Sequence, residues 1–196
     1  ARRMYDTEYR DVDTRVRRII HLYWRNRATE VALSRRWTAN LWRNVTVAAD
    51  DYEFLRSFLP PKAILVGAGP SLDYYREFLK TVTTNDRSGV YARPAIVALD
   101  TALPSLAESD LPIDAVVSMD SQLVNAFDFT PWRWNDTFLL ADATTYFGIV
   151  RAFRPERRFL FTTFFSDIRL FTDPELRSLF SGMPVLPARG SVAPAA

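Results

Sequence analysis

The sequence predicts an α/β protein: a mostly parallel sheet covered by helices, with a helical appendage at its N-terminus. Three observations carry that expectation. Short apolar runs, most of them closing on Gly or Asp, recur after Lys62: Ala63–Val66, Ala95–Leu99, Ala115–Met119 and Phe138–Ala141, with Arg158–Thr162 and Met183–Leu186 as weaker members. Strands buried on both faces of a parallel sheet read as continuous apolar runs. Helical stretches lie between them, over Ser71–Lys80, Ala102–Ser109, Tyr146–Phe153 and Pro174–Phe180. Parallel strands need such crossovers, which are almost always right-handed. Finally, no Gly or Pro stands before Pro60, and Val16, Ile20, Trp24, Ala28 and Val31 recur at the period of one helix face.

Together these features read as a doubly wound, Rossmann-like sheet over residues 59–196 behind a helical segment over residues 1–58. Trp37, Leu41 and Val45 continue the helical stripe, and a short helix fits Asp50–Phe58, capped by Asp50 or Asp51 and stopped by Pro60-Pro61. At the other end, Arg189-Gly-Ser-Val-Ala193 has the form of a strand-to-helix turn without the helix that should follow, so the second domain is expected to be incomplete there.

Composition narrows the chemistry. There is no cysteine and one histidine, His21, in 196 residues. Disulfides, thiolate metal sites, cysteine nucleophiles and multi-histidine metal sites are excluded. The longest uncharged run, Ser178–Ala188, has 11 residues, against about 20 for a membrane span. No secretory signal is visible, and the expected location is cytoplasmic. The formal net charge of +2 is too small for a nucleic-acid binder, although residues 1–58 carry 12 arginines against 8 acids. His21 sits in this arginine-rich helix and reads as solvated or packed. The aromatics, Trp24, Trp37, Trp42, Trp132 and Trp134 among them, read as core or as a partner surface.

The strongest local signal is Ile64-Leu-Val-Gly-Ala-Gly-Pro-Ser-Leu-Asp73. An apolar strand runs into Gly67, Ala68 and Gly69, and a helix opens at Pro70 and Ser71. Glycines turn the backbone sharply and admit a ligand close to it. Proline suits a helix entrance, and the free N–H groups of the first turn favour an anion such as phosphate. The dinucleotide fingerprint does not fit: Leu72 stands where it wants a third small residue, and the next strand-end acid, Asp100, comes 33 residues after Gly67. The lysine of a P-loop is missing as well.

Asp100, Asp120 and Asp142 each follow an apolar run. In an open parallel sheet, ligands bind beyond the carboxyl ends of the strands, at the point where strand order reverses. There these carboxylates would meet ribose hydroxyls, hold Mg²⁺ beside a diphosphate, or act as a base, with helix capping as the plain alternative. Ser118 and Gln122 flank Asp120 and offer neutral hydrogen bonds to a base or sugar. Gly190 and Ser191 form a second candidate anion turn. Asn40 and Asn44, one helical turn apart, either bond to the sheet domain or border the site.

These residues resemble a known family. Gly67-Ala-Gly-Pro-Ser-Leu-Asp73, Ala98-Leu-Asp-Thr-Ala-Leu103, Leu111-Pro-Ile-Asp-Ala-Val-Val-Ser-Met-Asp-Ser-Gln122 and the Gly190-Ser-Val192 turn look like the domain shared by bacterial motility-associated (Maf-type) glycosyltransferases and archaeal 6-hydroxymethylpterin diphosphokinases. Arg36-Trp-Thr-Ala-Asn-Leu-Trp-Arg-Asn44 resembles the helical lead-in of the bacterial members. The match spans roughly residues 30–193.

The resemblance implies a Rossmann-like core that binds a nucleotide-activated donor. On the Maf side it implies transfer of a nonulosonic, sialic-acid-like sugar from CMP to Ser or Thr of a protein such as flagellin. Gly67, Ala68, Gly69, Pro70 and Ser71 would then cradle the phosphate, Asp100, Ser118 and Gln122 would meet the nucleotide or sugar, and Asp120 would be the base. No metal ligand is assigned on that reading. The diphosphokinase branch implies ATP and Mg²⁺, but its second and third motifs differ from Asp100-Thr-Ala and Ser118-Met-Asp-Ser here. A third expectation is a non-catalytic module. In either case the N-terminal helices are expected to offer a surface to a second copy or a partner.

Overall fold

A computed structural model describes residues 6–48, 52–84, 93–107, 109, 111–130, 134, 136–163, 174, 180 and 183–186. The chain divides into two compact units, Ala1–Arg35 and Arg36–Ala196. The described part of the first is helical throughout, belonging to α1 (Asp6–Val45). Its apolar stripe finds no core within the unit: Val16, Ile20, Trp24 and Val31 are all exposed. Ion pairs at helical spacing, Asp11–Arg15, Asp13–Arg17 and Arg27–Glu30, decorate its surface. Such exposed pairs are screened by solvent and contribute little to stability.

The second unit opens with the end of α1, followed by α2 (Tyr52–Phe58), β1 (Ala63–Val66), α3 (Ser71–Thr84) and β2 (Ala95–Leu99). A 3₁₀ turn (Asp100–Ala102) leads into α4 (Leu103–Leu106), and β3 (Ala115–Ser118) follows. A longer 3₁₀ segment (Leu123–Phe129) precedes β4 (Phe138–Asp142) and α5 (Phe147–Ala152), and the described strands end with β5 (Arg158–Thr163) and β6 (Val185–Leu186). The predicted strands and helices are found within a few residues of their expected bounds. The predicted helix over Pro174–Phe180 lies largely outside the described residues, as do Gly190, Ser191 and Trp132.

All described strand pairs are parallel, and they lie side by side in chain order, β1 to β6. The α/β class, the parallel sheet and the helical N-terminus are therefore as the sequence predicts. The strand order differs in one respect. It never reverses among the described strands, so the crevice expected at a reversal point does not form. Each crossover instead steps to the next position along the sheet. The helices accordingly gather on one face, where Leu72 and Leu79 of α3, Leu103 and Leu106 of α4, and Ile149 and Val150 of α5 share a core with Val66, Ile96, Ala98, Val116, Leu139 and Leu160. The stacked rings of Trp134 and Phe153, 4.8 Å apart, close one end of that core with Phe129.

The opposite face is covered more thinly. Tyr52, Leu55 and Leu59 pack on Ala115, Phe138 and Phe159, and Leu99, Val117 and Phe161 form a separate patch. An apolar cavity of about 230 Å³ remains between them. At the N-terminal edge of the sheet Arg93 and Asp114 form a buried two-pronged ion pair, both bonds 2.7 Å, and Asp114 also accepts the Ile96 amide. The pair ties the entry of β2 to the entry of β3.

Candidate functional site

The C-terminal ends of β1 to β4 bring the candidate residues to one edge. Gly67 follows Val66, Asp100 follows Leu99, Asp120 follows Ser118 by two residues, and Asp142 ends β4. Neighbouring strands lie about 4.8 Å apart, so the turn after β1 and the loop after β3 are separated by roughly 10 Å.

The turn after β1 is open. Gly67, Ala68, Gly69, Pro70 and Ser71 are all exposed, and among the described residues no side chain fills the space beside Gly69. A Cβ added there would meet only Ser71 Oγ, at 3.8 Å, and one at Gly67 would meet Leu99 at an ordinary 3.6 Å. Packing therefore does not require glycine at either position. The Leu72 amide closes the turn on the Gly69 carbonyl at 2.9 Å. Helix α3 starts directly after, with Asp73 in its first turn paired outward to Arg76.

Asp100 is buried, 2% exposed. Its carboxylate accepts the Ser118 hydroxyl at 2.7 Å and the Thr101 amide at 2.8 Å. Burial pushes its pKa up; the two hydrogen bonds oppose that shift, while the negative charges of Asp120 and Asp128 add to it. Ser118 is fully buried. Its hydroxyl is engaged by Asp100, so the direct ligand contact expected of it is replaced by a role in holding that carboxylate.

Asp120 is only half-buried. Its Oδ1 accepts the Gln122 amide at 2.8 Å, and its carbonyl accepts the Tyr146 amide at 2.9 Å. No partner is recorded for its Oδ2 among the described residues, so this oxygen is available for chemistry. Gln122 is exposed beside it. Asp142 is different: it is buried, and its carboxylate accepts the Thr144 amide, the Thr144 hydroxyl and the Thr163 hydroxyl. It braces the loop after β4 and is not presented to a ligand.

Two residues of the lead-in helix fix these loops from outside. Asn40 Nδ2 donates to the carbonyls of Ser121 and Thr144, at 3.2 and 3.1 Å. Asn44 Nδ2 donates to those of Ala143 and Thr145, at 3.0 and 2.8 Å. The carboxamides thus pin the loop after β4 at three consecutive carbonyls and the loop after β3 at one. Asn44 Oδ1 is buried without a partner. The bonding to the sheet domain expected of the asparagines is therefore found, and Asn40 also lines a cavity of about 370 Å³ with Arg36, Arg43, Ser121, Gln122 and Tyr146. The sequence reading placed neither arginine nor Tyr146 at the site. Arg36 and Arg43 lie seven residues apart, two helical turns, and that spacing was the available signal. His21 is exposed on the part of α1 that belongs to the other unit.

Among the described residues no three His, Asp or Glu side chains converge as a metal cage. A Mg²⁺ carried in on substrate phosphates would need only one or two protein carboxylates. Asp120, with one oxygen uncommitted, suits that demand better than the engaged Asp100. No described helix is long and apolar enough to cross a membrane.

An uncharacterised protein of Treponema pallidum (strain Nichols) is 25% identical over 164 residues, which make up 82% of this chain and 27% of that protein. The chain thus spans about a quarter of the length of that relative. No solved structure matches it significantly. A family model described as 6-hydroxymethylpterin diphosphokinase MptE-like matches residues 35–193, a span that takes in the lead-in helix, the glycine turn and the strand-end acids. The chain belongs to the MptE-like family.

Proposed function

We propose that the carboxyl edge of the sheet binds a nucleotide-activated donor and that the domain transfers a group from it, with a CMP-linked nonulosonic sugar as the donor and a protein hydroxyl, such as that of flagellin, as the acceptor. One observation carries this reading. The Gly67–Ser71 turn is exposed, unfilled and under no packing demand for glycine, which leaves close approach of a ligand as the reason for two glycines at a helix entrance.

The roles follow from position. The amides of the turn and the Ser71 hydroxyl receive the phosphate. Asp100, held by Ser118 and Thr101, faces the sugar side of the site. Asp120 takes the proton of the acceptor hydroxyl as the hydroxyl oxygen bonds to the anomeric carbon. The bond from that carbon to the phosphate oxygen breaks, and CMP leaves with the electron pair. A carboxylate with one free oxygen beside a polar cavity suits a general base.

A second reading is favoured by the family description: an ATP- and Mg²⁺-dependent diphosphokinase, with Asp120 on the metal. Isothermal titration with CMP, CDP, GDP and ATP, with and without Mg²⁺, separates the two. Metal-independent CMP binding is the expected result. Binding of ATP alone, dependent on Mg²⁺ and lost in Asp120→Asn, would establish the diphosphokinase instead, and no heat with any nucleotide would remove both. Gly69→Val should abolish CMP binding while leaving the melting temperature within a few degrees, because its side chain enters space that the protein leaves empty. We also propose that the exposed stripe of α1 pairs with a second copy of the chain, and that the protein works in the cytoplasm.

A further inference from the structure

The cavity beside Asp120 carries a charge that the donor reading does not use. Arg36 and Arg43 project into it from one face of α1, with no acidic side chain among the residues that line it. Neither arginine has an acidic partner within ion-pair distance among the described residues. The Arg43 guanidinium lies 5.2 Å from the centre of the Phe147 ring, and Arg151 lies 5.6 Å from the same ring. Two guanidinium groups therefore flank the Phe147 ring, and the Arg36 side chain lines the same cavity as that of Arg43. Unpaired like charges repel, and their collection around a concavity is unfavourable until an anion enters.

The frame of the cavity is rigid where it matters. Asn40, 3% exposed, holds its floor through the bonds to Ser121 and Thr144. Stacking over Phe147 restrains the Arg43 head while leaving its N–H edge to donate, and a planar guanidinium presents two parallel donors that match an oxyanion. Tyr146 and Gln122 add neutral donors on the opposite wall.

We propose that this cavity is a second anion site, distinct from the glycine turn, in which Arg36 and Arg43 bind the oxyanion of a small polar molecule: a phosphate or a sugar carboxylate. Its volume, about 370 Å³, admits a sugar acid or a diphosphate. The site stands on its own residues and needs no ligand on the turn after β1.

Titration of the full chain with inorganic pyrophosphate and, separately, with N-acetylneuraminic acid tests it. Saturable binding of at least one probe is expected, weakened roughly tenfold or more when both guanidinium groups are removed in Arg36→Gln/Arg43→Gln, the loss expected for charge-assisted bonds to an anion. The same binding should persist in Gly69→Val, which separates it from nucleotide binding at the turn. Pyrophosphate binding identifies the anion as a phosphate, and neuraminate binding identifies it as a carboxylate. Both arginines are exposed, so the variants should fold; the single substitutions, each expected to weaken binding less than the pair, serve as a check if the double one melts early. Unchanged affinity in the double variant, loss in Gly69→Val alone, or no binding of either probe at millimolar concentration would overturn the proposal.

Discussion

Burial of the Asp100 carboxyl opposes its ionisation, the nearby charges of Asp120 and Asp128 oppose it further, and Ser118 and Thr101 hold it in place all the same. Both oxygens are committed to the protein, so the carboxylate ties the 3₁₀ turn after β2 to the end of β3. The consequence for stability has a definite sign. A folded-state pKa above the unfolded value means that the native state keeps its proton longer as pH rises. Between the unfolded value near 3.8 and the raised folded value the native state binds more protons, so this group's contribution falls as pH rises through that window and is constant above it. Asp100→Asn keeps one oxygen, for the Thr101 amide, turns its NH₂ to the Ser118 hydroxyl oxygen, and has no charge to bury. Its stability relative to the natural chain should therefore increase as pH rises from 4 toward 7, while donor binding or turnover falls. Denaturant unfolding at several pH values reads the first, and a variant that loses stability relative to the natural chain as pH rises would contradict it. That an aspartate would stand at this strand end was legible in the sequence. That Ser118 would be turned to it was not, because the contact depends on the register that sets Leu99 beside Val117.

At the scale of elements, the strands and crossover helices were legible because apolar runs and turn residues report local burial directly. The strand order was not, since neighbouring runs look alike whichever sits beside which. Helix α1 shows both sides of this. Its periodicity announced a helix, yet the stripe covers two situations: Leu41 is buried in the sheet unit, and Val12, Val16, Ile19 and Tyr23 stand exposed. Those four are spaced by four, three and four residues, the seam of a two-stranded coil. A solitary helix of this kind is marginal in water, so light scattering should find a dimer, and Val16→Glu/Ile19→Glu should return it to a monomer without altering nucleotide affinity. A natural chain that is already monomeric would remove the pairing. At the other end of α1, Asn44→Ala withdraws both donors from the Ala143 and Thr145 carbonyls and should cost about 2 kcal/mol of stability, read from the denaturant midpoint. The gain from removing the orphaned Asn44 Oδ1 limits the loss. The pair of asparagines one turn apart was visible in the sequence, but nothing there could say that Asn44 faces two carbonyls of the loop after β4 and Asn40 one carbonyl of that loop and one of the loop after β3.

At the scale of the whole molecule, a sheet whose strands follow one another without reversal has no central crevice to concentrate a ligand. What it offers is a continuous carboxyl edge, stepped by one strand spacing at each crossover, along which the turn after β1, Asp100, Asp120 and the arginine cavity follow in order. A donor laid on that edge touches several loops at once, and each loop is braced from behind: by Ser118, by the Asp142 cluster, or by the asparagines of α1. At the opposite edge Arg93 and Asp114 form a buried ion pair. The thinly covered face of the sheet, with its apolar cavity under Pro184 and Leu186, is the rival location for a ligand. Hydrogen exchange with and without CMP decides between them. Bound donor should slow exchange in the first turn of α3, at Thr101 and around Gln122, while amides near Ile96 and Asp114 stay unchanged. Protection centred instead on Val97, Leu140 and Phe161 would place the ligand in the apolar cavity, and a molecule held there, away from every charged group of the carboxyl edge, would not be a nucleotide-activated donor.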